Sequence, residues 1–178
     1  NLFSLAGDVT GWRLLRRGAA MGYSSSSYET YELSAFTEQV LLDAGEGNGS
    51  NLGVGDSFTM PTDTNAVITV SDNDGTLSGD SRYNENANDW SGQTAAITVD
   101  GVATGGSGQI YAEKFFWVCD EAGNWYILLE IEQEDSSGDY FVFYDYCGLP
   151  DEGAELSIVC SRNITRCWEP RYDDMMQE

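Results

Sequence analysis

The sequence predicts an all-β protein, an antiparallel β-sandwich of roughly ten strands with a three-stranded meander near its C-terminus. Three observations carry that expectation. Apolar runs are short and are punctuated by Gly, Asn, Asp and Ser, with Gly frequent (20) and Pro rare (3). The run WYILLEIEQE alternates: Trp125, Ile127, Leu129 and Ile131 fall on one face, and Tyr126, Leu128, Glu130, Glu132 and Glu134 on the other. Finally, IYAEKFFWV, WYILLEIEQE and YFVFYDY are separated only by CDEAGN and DSSGD, which is the pattern of consecutive hairpins. A chain of 178 residues suffices for one domain with its own core.

Taken in order, the opening NLFSLAGDVTGWRLLRRGAAMGY does not share this pattern. It sets Leu2, Phe3, Leu5, Trp12, Leu14 and Leu15 beside Arg13, Arg16 and Arg17. An edge strand, a short helix or an arm docking on a neighbouring subunit would each suit it. We divide the chain into an arm, residues 1–22, and a single β domain, residues 23–178. Strands are expected at 27–35, 38–43, 56–60, 66–71, 94–100, 109–118, 124–134, 140–147 and 155–160, with a further short one at 164–168. No internal repeat is visible.

Charge bounds the function. Thirty acidic residues face eight basic ones, a net charge of -22. Such a surface repels nucleic acid and anionic membrane, attracts cations and suits salty water. Lys114 is the only lysine; the arginines gather near the two ends. With no His, Ser-His-Asp and Cys-His nucleophiles and the commonest transition-metal ligand are excluded. No apolar run approaches a membrane span. No secretory leader is visible at the start, so one was removed, never existed or lies elsewhere. Four cysteines, Cys119, Cys147, Cys160 and Cys167, favour two disulfides in an oxidising compartment. We expect the pairs 119–147 and 160–167, although a strand lies between Cys119 and Cys147 and puts them roughly 9 to 10 Å apart. Asn48 and Asn163 head glycosylation triplets.

Three constellations could carry chemistry. The stretch SDNDGTLSGDSRYNENANDWSGQ supplies Asp72, Asp74, Asp80, Glu85 and Asp89, with Asn84 and Asn86. These are the oxygen ligands calcium takes, but they fit no EF-hand spacing, so a solvated polar loop is the preferred reading and a calcium site the alternative. If Val118 pairs with Trp125, Glu113 lies opposite Glu130 and Tyr111 opposite Glu132. Facing carboxylates need a cation, a raised pKa, as in a glycosidase acid pair, or an Arg partner, unless they splay into solvent. Tyr23, Tyr28, Tyr31, Tyr83, Trp90 and Tyr172 sit among Ser, Asn and Asp, a mixture that stacks on sugars or anchors interfaces when exposed.

FTMPTDTNAVITVSDNDGTLSGDSRYNENANDWSGQTAAI, GQIYAEKFFWV, GNWYILLEIEQE, DYFVFY and the Cys160–Cys167 pair resemble the N-terminal β domain of secreted marine-bacterial proteins that end in a Hint (intein-like) domain. The resemblance covers roughly residues 56 to 170. It implies an extracellular, non-enzymatic module and transfers no site residue. The catalytic Cys and His of a Hint domain do not occur in this chain's last residues.

The expected function is therefore a secreted structural or surface protein that self-associates, and could build filaments. Its contacts would be Leu2, Phe3, Leu5, Trp12, Arg13, Arg16, Arg17, Arg166 and Arg171 against acidic faces of a neighbour. The alternative is a calcium-dependent carbohydrate-binding module. An enzyme using Glu113 and Glu130 on glycosides is the third reading.

Overall fold

Ala66, Ile68, Val70 and Asp72 are buried in alternation with half-buried neighbours, and this period of two turns one strand face inward. The computed structural model describes residues 27–46, 48–79, 93–105, 108–134, 136, 138–164 and 168–177. Within them the chain is all-β. Its strands are β1 (Glu29–Thr37), β2 (Ser57–Thr59), β3 (Ala66–Asp72), β4 (Thr94–Val99), β5 (Val102–Ala103), β6 (Gly108–Asp120), β7 (Trp125–Gln133), β8 (Asp139–Tyr144) and β9 (Glu155–Asn163). The expected meander is β6–β7–β8.

The sandwich expectation is corrected. Strands β6, β7, β8, β1, β3 and β4 follow one another as antiparallel neighbours, and β4 returns to β6 through Thr94↔Gln109 and Ala95↔Gly108. The sheet thus closes into a six-stranded barrel. The reason lies in β6, whose 13 residues offer one edge to two partners. Its first residues pair with β4, and from Lys114 onward the same edge pairs with β9, which in turn carries β2. A β-bulge at Glu113 separates the two parts. At the seam a side chain on Gly108 would sit 2.9 Å from the Glu134 carbonyl oxygen, so glycine permits the close approach.

Two cores result. Leu33, Ile68, Val70, Ile97, Ile110, Leu129, Ile131 and Val142 fill the barrel. Phe36, Leu41, Phe58, Phe116, Leu128, Phe141, Phe143 and Leu156 form a second core outside it. The meander is therefore buried on both faces.

Residues 38–43 form a helix, α1 (Glu38–Asp43), instead of the expected strand. Val40, Leu41 and Leu42 run consecutively without alternation, and the Gln39 amide donates to Asp43 Oδ1 one turn on (2.7 Å). The helix buries Leu41 in the outer core. Strand β5 was not expected; it follows a tight turn at Asp100 (φ 51) and Gly101 (φ 75), the Asp-Gly signal of a two-residue hairpin.

The C-terminal residues 168–177 cross one end of the barrel as a strap. Backbone N–H groups of Leu77, Tyr172, Ser34 and Met176 bond to carbonyls of Pro170, Gly75, Met176 and Phe143 respectively. Tyr172 and Met175 enter the barrel core from this strap.

Candidate functional site

The facing-carboxylate constellation is real in outline and different in register. Val118 pairs with Tyr126, not Trp125, so Lys114, not Glu113, lies opposite Glu130. The bulge then shifts the ladder, and Tyr111 does face Glu132 as expected. Lys114 Nζ lies 2.8 Å from Glu113 Oε1 and donates to Glu130 Oε1 and Oε2 at 3.2 and 3.3 Å. The one lysine is the compensating cation. Glu130 is 5% exposed. Burial, and then the neighbouring Glu113 carboxylate, push its carboxyl up to about 8, with Lys114 opposing. Near neutral pH Glu130 is therefore protonated and donates or accepts as a neutral carboxyl beside the charged Lys114. Asp139 is raised as well, by burial and by Glu38 and Glu113.

The acidic stretch is only partly within view. Asp80, Glu85 and Asp89, with Tyr83 and Trp90, lie outside the described residues. Asp72 is fully buried and accepts from the Tyr172 hydroxyl (2.8 Å) and the Asn73 N–H (2.6 Å). Burial raises its pKa, and these two bonds oppose the rise. Asp74 Oδ1 accepts from the Thr76 N–H and hydroxyl, both at 2.9 Å. Both carboxylates are engaged in protein hydrogen bonds. Among the described residues no group of three His, Cys, Asp or Glu side chains could hold a metal. Beside Asp72, Gln93 is wholly buried; its amide donates to the Ser78 and Ile110 carbonyls (3.1 and 2.6 Å) and accepts from the Ser78 N–H (2.9 Å). This polar group braces the barrel end where the acidic stretch begins.

The disulfide expectation is also corrected. Cys119, Cys147 and Cys160 are free thiols. The 119–147 bridge fails for the reason of spacing: β7 lies between β6 and β8. Cys160 pairs across the ladder with Trp117. Cys167 lies outside the described residues, as do Arg166, Tyr23 and the arm residues Leu2, Phe3, Leu5, Trp12, Arg13, Arg16 and Arg17. Arg171 is exposed, with its guanidinium 3.5 Å from Asp173.

Sequence reasoning missed the feature most suited to binding. Where β6 ends, β7 begins and β8 ends, Phe115, Trp117, Ile127, Tyr146 and Trp168 line an open cleft of about 340 Å³. The strap positions Trp168, which packs edge-on against Phe115 (5.3 Å between ring centres) and Tyr144 (5.6 Å). Trp117 packs edge-on against Trp125 (6.3 Å), and Tyr144 stacks with Tyr146. Tyr146 is 75% exposed, Trp125 46% and Trp168 37%. The signal for it was the density of rings in FFW, NWY and YDY. Conversely Tyr172, read as exposed, is fully buried, and Tyr31 stacks on it at 4.3 Å. Tyr28 is exposed.

Compared with known proteins, the chain matches no family model, no curated protein and no solved structure.

Proposed function

We propose that this protein is a non-enzymatic module of an extracellular surface, akin to the β domains that precede Hint domains in secreted bacterial proteins, and that it self-associates. The observation that carries the reading is the aromatic cleft: an exposed apolar patch on an otherwise strongly acidic body. Such patches mark interaction sites, because burying them is favourable and leaving them wet is not. Charge supports a contact between unlike parts of two copies. Residues 1–22 hold three Arg against one Asp, and the remainder holds five basic against 29 acidic residues. Bodies of this charge repel, so association needs a specific contact. Sedimentation velocity in seawater-like salt, with calcium and then with chelator, tests it. Mean size should rise with concentration under both conditions. A rise only with calcium would transfer the contact to the acidic stretch, and a single small species throughout would overturn the reading.

A second reading has its own support in Trp125, Tyr146 and Trp168, whose exposed rings are the kind that stack on sugar faces. Under it, glycan arrays return binders and Trp168→Ala weakens them about tenfold. A blank array dismisses it.

A further inference from the structure

We propose that the aromatic cleft receives the N-terminal segment, residues 2–17, of a second copy, and that two copies exchange these segments reciprocally as a closed dimer; this rests on the self-association reading.

The occupant follows from chemistry on both sides. The cleft has an apolar floor of Phe115, Trp117 and Ile127 between the lips Tyr146 and Trp168. Asp145 and Glu169 directly adjoin those lips in sequence, and Asp173 and Asp174 follow on the strap. Among the described residues the basic groups nearby are Arg162, which pairs with Phe115 across the ladder, and Arg171, which is already beside Asp173. An apolar slot with an acidic rim calls for large apolar side chains flanked by cations. Trp12-Arg13-Leu14-Leu15-Arg16-Arg17 supplies that pattern. The volume of about 340 Å³ has room for one or two bulky side chains.

The symmetry follows from where the segment is rooted. The described fold begins at Ser27 and Tyr28 and runs into β1. Tyr31 of β1 stacks on Tyr172, which belongs to the same strap as Trp168. Donor root and acceptor cleft thus share one end of the barrel. Two copies facing each other at that end can each give and receive a segment, and the contact closes on a two-fold axis. The roughly fifteen residues from Trp12 to Ser27 span at most about 50 Å, enough to cross to a facing copy. An open filament would instead need the donor root and the acceptor at different ends.

The test uses the full chain and two variants, Trp12→Ala in the segment and Tyr146→Ser at the exposed lip. Sedimentation velocity over a concentration series should give monomer and dimer with nothing larger, and each variant should weaken the dimer about tenfold. Species that keep growing would overturn the closed exchange while self-association stands. A dimer unchanged in both variants would remove the cleft from the contact and leave self-association standing. A monomer throughout would overturn both. A bismaleimide link from Gly18→Cys to the exposed Cys147, in a mixture of isotopically heavy and light chains, separates exchange from self-docking. Heavy–light linked peptides are expected; links confined to heavy–heavy and light–light would place each segment on its own chain and overturn the proposal.

Discussion

Lys114 shows how much one residue can decide. It is the only lysine, and it stands at the bulge between two glutamates that would otherwise repel. Of the compensations the sequence offers for facing carboxylates, a cation, a distant Arg or a raised pKa, the last is present on Glu130, and the cation is Lys114, which adjoins Glu113 in the chain. A hairpin shifted by one residue hid it, because register decides which side chain faces Glu130. The site has a pH signature. Glu130 keeps its proton in the folded state up to about 8, against 4.5 for an ordinary glutamate. Between those values the folded state binds more protons than the unfolded chain, so the contribution is fully present below the lower value and is lost as pH rises through the upper one. Thermal melts should show a melting temperature that falls from pH 5 to pH 9, and Glu130→Gln should flatten that fall. Parallel profiles for the two proteins would refute the assignment.

At the scale of elements, turn chemistry and alternation were legible while partners were not. The meander emerged where it was read, since a period of two and Gly- or Asn-bearing turns are local properties. The helix α1 differs from the expected strand because a six-residue segment with a short apolar run, Val40–Leu42, is ambiguous between helix and strand. Its context resolves it: Leu41 must reach a core already walled by Phe36 and Phe58. Closure depends on β6 changing partner along one edge, and Gly108 is where β4, β6 and β7 crowd together. Gly108→Val should therefore cost about 1–3 kcal/mol, measured by urea unfolding. Hydrogen exchange should show the loss of protection confined to the β4–β6 seam. A variant as stable as the parent would mean that the seam has slack.

For the whole molecule the dominant quantity is charge. A net charge of -22, with 29 of 30 acidic residues after residue 22, stores repulsion in the folded body. Raising salt from about 0.05 to about 0.5 M shortens the screening length and should raise the melting temperature. A flat or falling response would show that local pairs such as Lys114 with its glutamates already absorb the repulsion. By itself the sequence determined the all-β class, the meander, the alternation of its middle strand and the acidic body, because each depends on residue type and short-range spacing. Only the tertiary structure decided that the sheet closes as a barrel, that the meander is buried on both faces, that Asp72 and Tyr172 are buried, that Cys119 and Cys147 stay apart, and that four rings from β6, the chain after β8 and the strap meet Ile127 of β7 in one cleft. Those outcomes depend on which distant segments share an edge or an end of the barrel, and side-chain alternation within a strand carries no record of its partner.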